Sequence, residues 1–152
     1  MNRYESIVSE TLFRDFPERC GATWMNHVAN TCDIKTALGL ANLFCPAVVE
    51  EDGCILIAEF YRGGVEELRR SGKTTQEIER FINSWSLASL LKSTPEQIIS
   101  DADLEAFARA IQYFWQLRMR SLFPEKEIVV EIGEGLMGEE GLAVTVYQKT
   151  AD

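Results

Sequence analysis

Residues 127–147 read EIVVEIGEGLMGEEGLAVTVY, and the architecture of the chain can be worked out from this segment. Its two ends, residues 127–132 and 142–147, are rich in β-branched side chains, which favour strands. Residues 133–141, between them, contain four glycines and three glutamates. Two strand-like runs around such a loop predict an antiparallel β-hairpin with an acidic loop.

The remaining sequence predicts a second hairpin and several helices. Apolar runs at residues 47–49 and 54–58 lie on either side of Asp52-Gly53, a dipeptide that favours a tight hairpin turn. Helices are predicted over residues 4–16, 33–45, 74–92 and 100–123. The last three are predicted to begin at the N-cap residues Asp33, Thr74 and Ser100. The chain is therefore predicted to be a single α+β domain over residues 1–152, with an antiparallel sheet of about four strands packed against a layer of helices.

The composition is typical of a globular protein without membrane spans. The 152 residues are 46% hydrophobic and 26% charged, and no apolar run approaches the roughly 20 residues that cross a bilayer. The N-terminal residues lack the apolar core of a signal peptide, so we expect a cytoplasmic protein that does not bind membranes. The net charge of −9 disfavours binding to nucleic acid, whose phosphates are bound by Lys and Arg.

The negative charge is concentrated in the two predicted hairpins. Residues 46–60 contain four acidic residues and no Lys or Arg, and residues 124–149 contain six acidic residues and two lysines. Each segment therefore has a net charge of −4, whereas the remaining 111 residues contain 14 acidic and 13 basic residues and are almost neutral. This distribution favours a basic protein partner. Surface acid that only keeps the protein soluble is an equally weighted alternative.

Cysteine and histidine form no recognisable metal or catalytic motif. The spacing of Cys20, His27, Cys32, Cys45 and Cys54 matches no common zinc arrangement, and free cysteines are often buried as small apolar residues. A cysteine or serine nucleophile would have to use His27 as its base, because the chain has one histidine. We therefore predict no metal, no cofactor and no catalytic residue, and an enzyme that pairs a cysteine with His27 is the third alternative.

Five short segments resemble a set of small uncharacterised bacterial proteins: Cys45-Pro46, Asp52-Gly53-Cys54-Ile55-Leu56, Trp115-Gln116-Leu117-Arg118, Leu122-Phe123-Pro124 and Val144-Thr145-Val146-Tyr147-Gln148. In size, acidity and α+β layout the chain is also similar to the immunity proteins that neutralise bacterial toxins in contact-dependent and polymorphic toxin systems. This resemblance implies a non-enzymatic inhibitor, but it supplies no binding residues and no oligomeric state.

The leading hypothesis is an acidic binding protein, an immunity protein that occludes a basic surface on a toxin domain. The predicted contact residues lie in the two hairpin connections; they are Glu50, Glu51, Asp52, Glu134, Leu136, Met137, Glu139 and Glu140, with Leu136 and Met137 as an apolar anchor. The second hypothesis is a small-molecule-binding or regulatory domain with a pocket between sheet and helices, lined by Trp24, Tyr113 and Trp115.

Overall fold

The computed structural model describes residues 6–8, 12, 24–90 and 100–149. Helices and antiparallel strands both occur within these residues, which confirms the predicted α+β class. The chain divides into two units, Met1–Leu43 and Phe44–Asp152, so the single domain over residues 1–152 stays a prediction. The helix predicted at residues 4–16 lies almost entirely outside the described residues, and Cys20 lies outside them as well.

Two helices begin the continuous part of the structure. Helix α1 is Trp24–Thr31 and helix α2 is Ile34–Phe44. The carboxylate of Asp33 accepts hydrogen bonds from the backbone N–H groups of Lys35 (2.8 Å) and Thr36 (3.0 Å), which confirms Asp33 as the N-cap of α2. The same hydrogen bonds, those from Thr36 first, lower the pKa of Asp33 below its ordinary value.

The second unit contains a two-stranded and a three-stranded antiparallel sheet. Strands β1 (Val48–Glu51) and β2 (Cys54–Ile57) form the first, and their turn has positive φ at Asp52 (46°) and Gly53 (76°), as the Asp-Gly dipeptide predicts. The second sheet has the order β3–β5–β4, where β3 is Trp85–Ser86, β4 is Ile128–Glu134 and β5 is Leu142–Gln148. The part of the chain that the structure describes therefore contains the four predicted strands and a fifth, short one, and they are divided between two sheets.

The described residues of the second unit form four further α-helices: α3 (Val65–Arg70), α4 (Thr75–Ile82), α5 (Leu87–Leu90) and α6 (Asp101–Leu122). Both predicted capping boxes are present, one at the start of α4 and the other at the start of α6. The single helix predicted over residues 74–92 is wrong at residues 83–86, because Asn83 ends α4 and Trp85 enters β3; the chain is helical again in α5, and residues 91–92 lie outside the described residues. Within α4 the apolar residue Phe81 is exposed, whereas Ile78 is buried.

The core lies on both faces of the strands. On one face α6 contributes the buried side chains Ile111, Trp115 and Met119, which belong to one cluster with alternate residues of β2, β4 and β5. On the other face a smaller cluster joins Cys54 and Leu56 of β2 to Val65 of α3 and Ile78 of α4. The strands are thus covered by α6 on one side and by α3 and α4 on the other, and the two hairpin connections lie at the ends of this layer.

Candidate partner-binding surface

The acidic residues of the β1–β2 turn have partners within the chain. Glu50 forms an ion pair with Lys126 (2.8 Å) and Asp52 forms one with Arg69 (3.0 Å). The guanidinium of Arg69 also donates to the backbone carbonyl of Asp52 (2.8 Å). These contacts hold the turn against the rest of the second unit and neutralise part of its charge.

Glu51 is paired with a tyrosine. The hydroxyl of Tyr61 donates a short hydrogen bond to the Glu51 carboxylate. Because ionisation of the tyrosine would lose this hydrogen bond and would also place two negative charges next to each other, the pKa of Tyr61 is raised to about 12. All three predicted contact residues of this turn are therefore already engaged.

The β4–β5 loop has a defined backbone. Gly135 N–H donates to the carbonyl of Gly141 (3.0 Å), and Leu136–Gly138 form a 3₁₀ turn between them. Two serines, one just before β3 and one within it, donate hydrogen bonds to the loop: the Ser84 hydroxyl donates to the Leu136 carbonyl (3.2 Å), and the Ser86 hydroxyl donates to the Glu140 carbonyl (2.8 Å). Ser86 N–H also donates to the Glu139 carboxylate (3.1 Å). The loop is therefore fixed in shape by contacts with a neighbouring strand.

The two apolar residues at the loop tip differ in their surroundings. Leu136 is half-buried above Gly133, where a Cβ atom would lie 3.2 Å from the Leu136 side chain. Met137 is 43% exposed and has a left-handed backbone with φ 53°, which is uncommon for a residue other than glycine. Left-handed backbone at an unbranched apolar residue costs free energy and is concentrated at functional sites. Met137, rather than Leu136, is the apolar group that the loop presents to solvent.

Two acidic residues flank Met137 without partners of their own. Glu134 and Glu140 are exposed, and neither side chain forms an ion pair or hydrogen bond with any residue that the structure describes. Glu139, by contrast, is half-buried and bonded to Ser86. The loop therefore presents an exposed methionine between two free carboxylates. We call Glu134, Met137 and Glu140 the acidic tip.

The two predicted contact regions lie at opposite ends of β5. The side chain of Gln148, the last residue of β5, donates to the carbonyl of Gly53 in the β1–β2 turn (2.9 Å). Leu142, the first residue of β5, is paired with Glu134 at the acidic tip. A strand rises about 3.4 Å per residue, so the length of β5 places roughly 20 Å between these points. The eight predicted contact residues are therefore divided between two regions, one at each end of β5.

Asn83 joins the two sheets, a role that the sequence did not reveal. Its amide oxygen accepts from Ile57 N–H (2.8 Å), and its amide nitrogen donates to the carbonyls of Ile55 (2.8 Å) and Val146 (2.9 Å). All of these atoms are buried, so this one side chain replaces the backbone hydrogen bonds that are missing between β2 and β5.

Glu79, one turn before Asn83 on α4, continues this bridge. Its buried carboxylate accepts from Ile55 N–H (2.6 Å), from Gln148 N–H (2.6 Å) and from the Gln148 side-chain amide. Burial raises the pKa of Glu79 above its ordinary value, although the hydrogen bonds from Gln148 and Ile55 oppose that rise. The only sequence signal is a polar pair at i and i+4 next to the apolar Ile78 and Ile82.

The candidate metal and nucleophile residues are dispersed among different environments. Cys54 is buried in β2 and burial raises the pKa of its thiol, whereas Cys45 is exposed and Cys32 is half-buried. His27 is half-buried in α1. Within the described ranges, no group of three or more His, Cys, Asp or Glu side chains is arranged to hold a metal ion.

The aromatic residues predicted to line a pocket have different surroundings. Trp115 is 1% exposed and belongs to the packed core beneath α6, near the ring of Phe60 (6.2 Å between centroids). Tyr113 is 52% exposed on the opposite side of α6, and Trp24 is exposed on α1. Trp115 therefore packs in the core and does not line a cavity shared with Tyr113.

The chain matches no protein-family model, no curated protein sequence and no solved structure. Among the described helices, none combines the length and the apolar character needed to span a bilayer.

Proposed function

We propose that this protein is a non-enzymatic binding protein whose acidic tip contacts a basic surface on a protein partner. The observation that carries the proposal is the exposed, left-handed Met137 held between two free carboxylates in a loop of fixed shape. An apolar side chain can provide the desolvated centre of a contact, and flanking charges steer association with a basic partner.

The fixed backbone of the loop supports binding rather than solubility alone. Charges that serve only solubility need no particular conformation, whereas a binding loop that is already ordered loses less conformational entropy on association. Ser84 and Ser86 supply this order through their hydrogen bonds to the loop. The β1–β2 turn supports binding less well, because Glu50, Glu51 and Asp52 already have partners in the chain.

The more specific form of the proposal is that the partner is a bacterial toxin domain which this protein neutralises as a cytoplasmic immunity protein. A basic surface on a toxin that acts on nucleic acid would be complementary in charge to the acidic tip. Occlusion of that surface would inhibit the toxin without any chemistry by this chain.

Affinity capture with matched variants tests the proposal. Wild-type protein, Glu134→Gln with Glu140→Gln, and Glu50→Gln with Asp52→Asn are immobilised and exposed to lysate of the native cells. The two double variants lose the same amount of negative charge, so a difference between them reports the position of the charge. We expect Glu134→Gln with Glu140→Gln to lose a basic protein that wild type binds, and Glu50→Gln with Asp52→Asn to retain it. Its expression alone should then arrest growth, and co-expression of this chain should restore growth.

Met137→Gly supplies a second variant, because glycine adopts the left-handed backbone readily and the loop shape is preserved. It should weaken capture of the same partner. Equal capture by wild type and all three variants would contradict the proposed contact, and a captured partner without toxicity would contradict the immunity function.

A further inference from the structure

The outer face of α6 differs in charge from the rest of this acidic chain. Residues 106–124 contain three arginines and no acidic residue, although the whole chain has a net charge of −9; Arg109 and Arg120 are exposed, whereas Arg118 is half-buried. Arg109, Tyr113, Leu117 and Arg120 succeed one another at intervals of three or four residues, and all four are exposed. They therefore form one line along the helix, which we call the α6 ridge.

The α6 ridge has an apolar centre between two arginines. Tyr113 is 52% exposed and Leu117 is 45% exposed, and the ring of Phe114 lies beside Tyr113 at 5.3 Å between centroids. Arg109 and Arg120 are about 16 Å apart along the axis, from the rise of an α-helix. Arg109 has one exposed contact with Glu105 (3.4 Å), and Arg120 has no ion pair with any residue in the described ranges.

The acidic tip of the same chain also has an apolar side chain between charged ones, and its charges are opposite in sign. It places an exposed Met137 between Glu134 and Glu140, whereas the α6 ridge places Tyr113 and Leu117 between arginines. The ridge faces away from the sheet, because Ile111, Trp115 and Met119 occupy the side of α6 that packs on the strands. The tip belongs to the loop between β4 and β5 and not to this outward side of α6.

We propose that the α6 ridge binds the acidic tip of a second copy of this chain, so that the protein self-associates through a charge-complementary contact. Pairing of two α6 ridges with each other would instead bring arginines of like charge together, which disfavours that arrangement. Every copy has both surfaces, so two reciprocal contacts related by a two-fold axis would close a dimer, and contacts that do not close would form a longer assembly. The inference goes beyond the proposed function, and the dimer would cover the acidic tip until a basic partner competes for it.

Sedimentation of the full chain over a wide range of concentrations tests the proposal. We expect concentration-dependent association that weakens as salt is added, because salt screens exposed charges. Tyr113→Ser with Leu117→Ser should weaken association about ten-fold or more, as for the central residues of other interfaces. These side chains are exposed, and circular dichroism of each variant checks that the fold is kept.

Variants with reversed charges test whether the acidic tip of a second copy is what binds the α6 ridge. Arg109→Glu with Arg120→Glu and Glu134→Lys with Glu140→Lys should each abolish self-association, and an equimolar mixture of the two variants should regain it. A wild-type chain that stays monomeric at every concentration would overturn the proposal. Association that survives Glu134→Lys with Glu140→Lys but is lost in the Tyr113 and Leu117 variant would overturn it in favour of paired helices.

Failure of this inference can be distinguished from failure of the proposed function. Arg109→Glu with Arg120→Glu leaves the acidic tip intact, so it should still capture an external basic partner if the proposed function is right. Loss of self-association in this variant together with unchanged capture separates the two contacts.

Discussion

Replacement of Asn83 by alanine should destabilise the protein severely, because one buried side chain satisfies three backbone groups on two sheets. Asn83→Ala removes the partner of Ile57 N–H and of the Ile55 and Val146 carbonyls. A buried backbone group left without a partner costs about 1–3 kcal/mol. Three such groups give a loss of at least about 3 kcal/mol, a large part of the roughly 5–15 kcal/mol that stabilises a typical domain.

Urea denaturation followed by tryptophan fluorescence measures this loss. Gln112→Ala is the matched control, because its amide makes one hydrogen bond to a strand carbonyl, that of Val130 (2.9 Å), and a loss of about 1 kcal/mol is expected. Asn83→Asp keeps the size and the acceptor but removes both donors, so it should be at least as unstable as Asn83→Ala. If the free energy of unfolding of Asn83→Ala is within about 1 kcal/mol of that of wild type, the hydrogen bonds of Asn83 do not stabilise the contact between β2 and β5.

Three further predictions concern groups with shifted pKa values. The pKa of Glu79 is higher in the folded state than in the unfolded state, so its effect on stability is most favourable below the unfolded pKa and is lost as pH rises through the folded pKa. Urea titrations should therefore show that the free energy of unfolding of wild type, minus that of Glu79→Gln, falls as pH rises between these two pKa values. A difference that rises with pH would contradict this prediction. Tyr61 should titrate with a pKa of about 12 in ultraviolet difference spectra between wild type and Tyr61→Phe. In Glu51→Gln the pKa of Tyr61 should return towards its ordinary value. An unchanged pKa of Tyr61 in that variant would rule out Glu51 as the cause. Cys54 should resist a thiol reagent in the folded protein while the exposed Cys45 reacts, because Cys54 is buried and burial raises the pKa of its thiol. The reaction rates of the two thiols are compared with the variants Cys45→Ser and Cys54→Ser. Equal reaction rates would show that β2 opens readily.

Elements whose causes are local in sequence could be predicted. Asp52-Gly53 adopts the positive φ values of a tight turn because these two residue types tolerate them, whatever the rest of the fold does. The caps at Asp33, Thr74 and Ser100 are likewise contacts between residues at most three positions apart. Such features follow from the chain itself, and the structure confirms them.

Strand β3 and the bridge between the sheets depend on distant residues. Trp85 fits the apolar period of a helix with Ile78 and Ile82, but pairing with Val144 across the sheet draws it into a strand. Asn83 and Glu79 acquire their role only when β2 and β5 lie on either side of them. No pattern within ten or so residues encodes that proximity, because tertiary contacts override local propensity.

In the candidate site, too, some features are visible in the local sequence and others depend on distant residues. The acidity of both hairpin connections is visible in the sequence, but the partners that neutralise the β1–β2 turn come from elsewhere: Lys126 for Glu50 and Arg69 for Asp52. The exposure of Met137 and the half-burial of Leu136 depend on the 3₁₀ turn and on Ser84. Charge alone therefore indicated two equivalent contact regions, and the internal pairs leave the acidic tip as the stronger candidate.

The most direct test of the central claim is the association rate with the captured partner, measured by stopped flow as a function of salt concentration. Glu134→Gln with Glu140→Gln should slow association about ten-fold or more at low salt, and this difference should shrink as salt screens the charges. Glu50→Gln with Asp52→Asn loses the same charge and should associate at nearly the wild-type rate. Equal slowing by the two variants, or greater slowing by the turn variant, would contradict the assignment of the acidic tip as the binding surface.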